Sequence, residues 1–388
     1  MLTNKWSFKS PTSLVFGNGV ANNLGGCMEK LGINKAILIT DETILNLDST
    51  KNALKMAKES CGVDFVIFSK VEPEPPVENV YESLKLYADN GCNGIVGFGG
   101  GSAMDVAKAV AMLVTNEGKY EDYVGIDKVP KKCAPLILMP TTSGTGSEVS
   151  IFSIMLVNGV KMGVVDENIT ANIAIVDPLL TVSVPRKVTA ATGLDALCHH
   201  LESFLSVNFS PMQAAMCLDS ITVIAKYLRK AVANGNNEEA RYHMAYASTM
   251  GGYCSNLSEG AAANHGLAFA LGAKYHISHG LANAMLLKHV LPVIGLAELE
   301  KMRQIGEAFG VDLKGLADRE ALDDTVKAIA ALVADIGCDI PLSLLGVKEE
   351  DINELVVETN KQTRVMGHST YALSSAEIRE IFQAALAE

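Results

Sequence analysis

Apolar positions in the first 180 residues come in short dense runs, separated by stretches with helical spacing. Residues 36–40, 63–68, 94–98 and 135–139 are runs rich in Ile, Val, Leu and Phe, the composition of strands buried on both faces. Between them, residues 49–61 and 80–90 repeat apolar side chains along one helical face, and a Pro-rich turn occupies 72–76. Strand, helix and strand joined by short connections imply parallel pairing with right-handed crossovers, hence a doubly wound sheet. From about Lys187 the apolar period becomes three and four, as in 221–232, 240–250, 325–336 and 376–387, which predicts a helical second half. The change of period, with Pro178 and Pro185, places the boundary so that 1–186 form an α/β domain and 187–388 a helical one.

Composition adds limits more than detail. A chain of 388 residues, 48% hydrophobic and 20% charged, has the makeup of a folded globular protein of two or three domains. With 32 basic and 44 acidic residues the formal net charge is −12, which argues against a phosphate-backbone partner and excludes nucleic acid from the reading. The apolar runs are expected to stop short of the roughly 18 residues that span a bilayer, so no membrane association is expected. The N-terminal residues lack the apolar core of a signal peptide, making the cytoplasm the default. Eight cysteines, never closer than 19 residues, offer no Cys-x-x-Cys pair and read as small core residues in a reducing compartment.

Two loops carry candidate cofactor chemistry. Gly99-Gly-Gly-Ser-Ala-Met-Asp105 follows a strand and opens a helix, so its backbone N–H groups can approach a phosphate at the positive helix end. A tight turn is the plain alternative, and the Gly-x-Gly-x-x-Gly order is absent. Pro140-Thr-Thr-Ser-Gly-Thr-Gly-Ser-Glu148 follows the next strand and crowds hydroxyls where a cofactor's phosphate, ribose or amide would lie. The alternative there is a helix cap. Asp41, at the end of the strand 36–40, is placed to accept from ribose hydroxyls and to repel a 2′-phosphate, although position alone favours a surface turn acid.

The helical half holds the strongest candidate. In Thr192-Gly-Leu-Asp195-Ala-Leu-Cys-His199-His200, Asp195 and His199 are four apart and leave one helix face a turn apart, the spacing of metal ligands. His200 points about 100° away and reads as structural. Asn264-His265-Gly reads as the start of a helix ending at Gly272, with Ser278-His279-Gly280 as the turn after it; His265 and His279 then complete a carboxylate and three imidazoles. Such a set suits Fe²⁺, Zn²⁺ or Mn²⁺ without choosing among them, and core or surface histidines stand as an equal alternative on spacing alone.

Taken together, these residues resemble the iron-containing (group III) alcohol dehydrogenase family over nearly the whole chain. The likeness is carried in order by Gly99-Gly-Gly-Ser-x-x-Asp105 with Lys108, Pro140-Thr-Thr-x-Gly-Thr-Gly-Ser-Glu148, Asp177-Pro178, Gly193-x-Asp195-Ala-x-x-His199, His265-Gly-x-x-x-x-Leu-Gly272 and His279-Gly-x-x-Asn283-Ala284. The resemblance implies an α/β dinucleotide-binding domain with a mostly parallel sheet plus an all-α domain, a dehydroquinate synthase-like architecture with the active site in the cleft. It implies Asp195, His199, His265 and His279 as ligands of a divalent metal, Fe²⁺ first and Zn²⁺ or Mn²⁺ as alternatives. By the same likeness Gly99, Gly100, Gly101, Ser102, Thr141, Thr142, Thr145 and Leu180 line NAD(H), Lys161 approaches its nicotinamide half, and Asp41 selects NAD. A homodimer or larger homo-oligomer is implied as well. Three positions depart from the family pattern. Phe269 stands where a second, proton-relaying His is common, so His276 becomes the relay candidate against an equal structural reading. Phe152 replaces a usual polar residue and with Phe269 is expected to line the substrate pocket. Ser369-Thr-Tyr371 replaces Asn-Pro-Arg.

The expected reaction is interconversion of a small primary alcohol and its aldehyde, in the reductive direction. A second reading takes an anionic aldehyde bearing sulfonate, phosphonate or carboxylate, such as sulfoacetaldehyde or succinic semialdehyde, with Lys288, Arg364 and His276 as candidate anion holders. A third, of another class, is a metal- and NAD-using lyase related to dehydroquinate synthase.

Overall fold

The computed structural model describes residues 6–258 and 260–387 and divides into two compact units. One consists of Lys9–Thr142 and Gly146–Val184 and is built on a six-stranded sheet. Its strands are β1 (Ser13–Phe16), β2 (Lys35–Ile39), β3 (Asp64–Phe68), β4 (Gly94–Gly99), β6 (Leu136–Pro140) and β9 (Ile173–Val176), in the spatial order β1-β9-β6-β4-β2-β3. Every pairing in it is parallel, with Ile39 opposite both Phe68 and Gly97. β4 and β6 are buried at every position, which is why they read as unbroken apolar runs. A smaller sheet joins β5 (Gly125–Ile126), β8 (Val160–Val165) and β7 (Phe152–Val157), the last two antiparallel.

β2 lies between β3 and β4, so the chain leaves β2 to one side and returns to the other. That reversal opens a crevice at the carboxyl ends of β2 and β4, the place where open parallel sheets bind ligands. Asp41, Gly99–Ser102, Thr141 and Leu180 all follow the carboxyl ends of β2, β4, β6 and β9. The order of strands therefore brings these predicted cofactor residues to one sheet edge, whereas Lys161 lies on β8 of the small sheet.

The other unit contains Pro185–Glu388 with Ser143–Thr145, and Phe8 packs edge-on against Tyr253 within it. Its helices include Arg186–Leu205, Pro211–Ala233, Glu238–Ser258, Ala263–Tyr275, His279–Ile294, Asp318–Asp335 and Ser375–Ala387. They share one core, with Leu194, Leu201, Leu228, Leu267 and Leu286 fully buried. Pro211 opens its helix in the first turn, and the Ser210 hydroxyl accepts from the Gln213 N–H at 3.2 Å, a cap that sets the start.

Three expectations need correction here. The helix foreseen to stop at Gly272 runs on to Tyr275, where His276 takes a left-handed φ of 53° and ends it. His279 accordingly opens the next helix instead of sitting in a turn. That helix extends into His279–Ala297, 19 residues long and apolar enough to cross a membrane by length and composition, where no stretch was expected to qualify. It packs in the helical core and carries His279 and Asn283, whose partners are described below.

Candidate active site

Asp195, His199 and Glu202 occupy positions i, i+4 and i+7 of the helix Arg186–Leu205, one continuous face. His265 comes from the helix Ala263–Tyr275 and His279 from the first position of the helix His279–Ile294. Close approach of that last helix depends on Gly280: a Cβ there would stand 2.3 Å from the Ala191 carbonyl oxygen and 3.3 Å from Asp195 Cβ. The requirement explains why glycine follows His279.

One ligand atom each from Asp195, His265 and His279 lies within 4.8 Å of the others. Asp195 Oδ1 is 3.6 Å from Nε2 of both His265 and His279. Donors bonded at about 2.0–2.2 Å to one ion stand at most about 4.4 Å apart, so a slight contraction gathers these three on a cation. His199 stands beside the trio, its ring stacked on that of His265 with centroids 4.8 Å apart. Nδ1 of His199 and Nε2 of His265 are buried without a hydrogen-bond partner among the described residues. Unpartnered ring nitrogens beside a buried carboxylate fit a divalent metal with nitrogen and oxygen ligands. Asp195 and His265 are enclosed while His199 and His279 are partly exposed, which leaves the cluster open on one side.

Glu202 was not singled out in the sequence, yet it is central. Its carboxylate accepts from His265 Nδ1 through Oε2, and from the His265 backbone N–H through Oε1 at 3.2 Å. With Nδ1 as the donor, Nε2 is left as the ligand nitrogen, the usual arrangement of carboxylate behind metal-bound imidazole. Asn283 donates to Asp195 Oδ1 at 2.9 Å, and Asn264 donates to Asn283 Oδ1 at 3.1 Å, so a buried amide chain steadies the carboxylate. The helical spacing i+3 from His199 was the available signal for Glu202, but only a known inward face makes it readable.

Charges balance tightly here. Burial opposes ionisation of Asp195 and Glu202, yet the imidazoles around them hold both carboxyls below their ordinary values. Burial likewise works against His265, but the negative charges of Glu202 and Asp195 outweigh it and push its pKa up to about 10. Burial pulls His199 below its usual value. Two carboxylates thus create a demand for positive charge that a divalent cation meets.

Phe269 stacks on His279 with centroids 5.3 Å apart at 15°, and its ring meets His265 edge-on at 6.1 Å. It walls the cluster with an apolar face that transfers no proton. His276 is exposed, and its backbone closes the helix end, donating to the Gly272 carbonyl at 3.2 Å. His200 is buried behind the cluster with Nε2 2.8 Å from the Ala247 carbonyl oxygen, in line with a structural role. Tyr371 donates to Glu377 Oε1 at 2.6 Å.

In the sheet unit, Gly100 precedes the helix Gly101–Thr115 and has no side chain with which to cap it, a helix N-terminus of the kind that suits an anion. A Cβ on Gly99 would lie 2.8 Å from Ala103 Cβ and 4.0 Å from Asp41 Oδ2, so the carboxylate stands beside the glycine turn. Asp41 also accepts from the Ile44 N–H at 2.9 Å as a helix cap, which unites the two readings of that residue. Thr142 lies 3.6 Å from where a Gly100 Cβ would be, and the buried Thr141 hydroxyl has no hydrogen-bond partner among the described residues. Thr145 belongs to the helical unit's segment Ser143–Thr145, and Leu180 is enclosed in the sheet core. Lys161 pairs with Glu74 at 2.5 Å, so its ammonium is engaged on the small sheet. Phe152 is half-buried and its carbonyl accepts from Lys108 Nζ at 2.7 Å. Lys108 also donates to the hydroxyls of Ser147 and Ser150, at 2.7 and 3.0 Å, with Asp105 at 3.7 Å. Burial lowers its pKa to about 8 against the pull of Asp105. Asp177 accepts from the N–H groups of Gly19, Ala21 and Leu179, each at 3.0 Å, which gives the Asp177-Pro178 pair a structural reason.

Both halves match known sequences. The family model described as iron-containing alcohol dehydrogenase matches residues 11–178, and the one described as Fe-containing alcohol dehydrogenase family, C-terminal, matches 189–386. The chain belongs to the iron-containing alcohol dehydrogenase family. It is 37% identical over 374 residues to long-chain-alcohol dehydrogenase 1 of Geobacillus thermodenitrificans, covering 96% of this chain and 94% of that protein. It is 34% identical over 351 residues to the NAD-dependent methanol dehydrogenase of Bacillus methanolicus, covering 90% and 92%. Among solved structures, a 1,3-propanediol oxidoreductase superimposes with a TM-score of 0.95 at 34% identity, covering 98% of this chain and 100% of that one. A sulfoacetaldehyde reductase from Bifidobacterium kashiwanohense in complex with NAD+ does so with a TM-score of 0.89 at 29% identity, covering 99% of both. As a member of this family the protein is an oxidoreductase acting on alcohols or aldehydes, and the lyase reading is set aside.

Proposed function

We propose that the protein is an NAD(H)- and divalent-metal-dependent reductase of small, neutral primary aldehydes, reversible toward the alcohol. The observation that carries the reading is the meeting of Asp195, His265 and His279, with Glu202 behind His265. A metal bound there supplies Lewis-acid polarisation of the substrate oxygen, and NADH supplies the hydride. The chain's own task is positioning. Asp195, His265 and His279, with His199 beside them, would hold the ion; Glu202 fixes the His265 tautomer; Asn283 steadies Asp195. Phe269 shields the cluster with an apolar wall, which suits an alkyl substrate chain. On the sheet edge, the glycine turn would take the pyrophosphate, and Asp41 the adenosine ribose.

An anionic substrate has support from the likeness to a sulfoacetaldehyde reductase. Against it, Lys288, one of the candidate anion holders, is paired with Asp339 at 3.0 Å. The free thiols, seven of eight buried, accord with the cytoplasm as the working compartment.

The test is anaerobic reconstitution with Fe²⁺, Zn²⁺ or Mn²⁺, followed by NADH oxidation with matched neutral and anionic aldehydes. Neutral chains should be reduced in preference, and His265→Ala should lose nearly all activity with every metal. Full activity in that variant would remove the ligand assignment. A strong preference for sulfonate- or carboxylate-bearing aldehydes would replace the neutral reading.

A further inference from the structure

Behind the first cluster, the helix Arg186–Leu205 carries part of a second concentration of ligand atoms. His200 follows His199 in sequence but leaves the helix about 100° around it, and it is fully buried. Its Nε2 faces the Ala247 carbonyl oxygen at 2.8 Å. A carbonyl only accepts, so Nε2 carries the proton and Nδ1 keeps its lone pair. That Nδ1 is buried and has no hydrogen-bond partner among the described residues. Cys217, on the helix Pro211–Ala233, and Cys254, on the helix Glu238–Ser258, are also fully buried, with their sulfurs 3.5 Å apart. One nitrogen of His200 and the two sulfurs all lie within 4.8 Å of one another.

We propose that His200, Cys217 and Cys254 form a second metal site, for a thiophilic divalent cation of the Zn²⁺ class. Two thiolates held at about 2.3 Å from a tetrahedral Zn²⁺ stand about 3.8 Å apart, so the observed sulfur separation needs only a small adjustment. Charge gives an independent argument. Two thiolates, one neutral imidazole and a divalent cation sum to zero, as full burial demands, whereas a monovalent ion would leave a net charge in the core. Hard cations such as Mg²⁺ and Ca²⁺ prefer oxygen donors and are excluded by the sulfurs. The Ala247 carbonyl plays the part that Glu202 plays for His265, fixing the imidazole so that its other nitrogen faces the ion. Three protein donors leave the fourth position of a tetrahedron to water. Binding would release two thiol protons and tie three helices together through one ion.

The two clusters differ in one respect that a spectrum can read: the first has no sulfur donor. The full-length protein is produced in Co²⁺-supplemented medium, so that the ion is present while the chain folds, and is purified under a non-thiol reductant. The proposal expects a near-ultraviolet thiolate-to-cobalt charge-transfer band in the wild type. Asp195→Asn, which removes a carboxylate ligand of the first cluster, should keep the band. Cys217→Ala, Cys254→Ala and His200→Gln should each lose most of it, and the double cysteine variant all of it. Cobalt content should fall by about one ion per chain between Asp195→Asn alone and Asp195→Asn with both cysteine changes. Absence of the band from the wild type overturns the site without reference to any variant. Persistence of the band in a double cysteine variant with native circular dichroism overturns it as well.

Discussion

Glu202→Gln is nearly isosteric and isolates what the carboxylate does. In the native arrangement two acceptor oxygens face two donors, the His265 Nδ1–H and the His265 backbone N–H. A glutamine has one oxygen, so whichever way its amide turns, one N–H group meets another. If the oxygen stays with the backbone, the imidazole is pressed to move its proton to Nε2, the nitrogen that points toward Asp195 Oδ1 at 3.6 Å and would hold the ion. If the oxygen turns to Nδ1, the backbone donor loses its acceptor inside a fully buried site. Loss of a carboxylate behind a metal-bound imidazole costs about 10- to 100-fold in metal affinity, or about 1.4–2.7 kcal/mol. The assay is competition between the protein and a chelator of known affinity, read by metal retained after equilibrium, alongside kcat and KM at limiting and saturating metal. Affinity should drop by that factor, and saturating metal should restore most of kcat. An affinity unchanged within about threefold would refute the argument that Glu202 sets the tautomer of His265.

Lys108→Met should leave the Asp105 carboxylate without its countercharge and free three acceptors of the 147–152 loop, costing about 3–5 kcal/mol in urea unfolding. Adding Asp105→Asn should recover part of that, and a loss below about 1 kcal/mol would contradict the buried-pair account. Asp41→Ala should narrow the preference for NADH over NADPH by improving the KM for the phosphorylated cofactor, and should cost about 1 kcal/mol of helix capping. An unchanged cofactor ratio would leave Asp41 as a cap alone. Stability should also fall in acid. Asp195 and Glu202 have carboxyls held below their ordinary 3.8 and 4.5, so the unfolded chain takes up protons first as pH drops. Their contribution is present above those ordinary values and is lost as pH falls through the depressed ones. Denaturant unfolding of the metal-free protein at pH 7, 5 and 3.5 checks the sign, and a flat profile would refute it.

The parallel sheet was legible because β2, β3, β4 and β6 are short apolar runs spaced by amphipathic helices. β1 and β9 were not, since four residues are too few to show a period, and β9 runs directly into the Asp177-Pro178 turn. The β7–β8 hairpin turns at Asn158-Gly159 between alternating residues, yet its neighbours in the chain read as loop. Asp195 and His199 were visible as a pair on one helix. Their meeting with His265 and His279 depends on helix packing, which spacing along the chain does not encode and the Asp195–imidazole distances show. Glu202 stayed hidden because a lone Glu on a helix is ordinarily solvated, and nothing local marks the face as buried. The closeness of Cys217 and Cys254 had no sequence signal at all, since the two lie on different helices 37 positions apart.

The helix Arg186–Leu205 serves two neighbourhoods at once, with Asp195, His199 and Glu202 on one side and His200 on another. Its register is therefore a shared constraint. One residue gained or lost between 195 and 202 would swing everything downstream by about 100° and dismantle both groupings in a single step. Substitutions that keep the buried volume of Ala196, Leu197, Cys198 and Leu201 are tolerable by comparison. Along this stretch, natural variation is expected to change identity while never changing length.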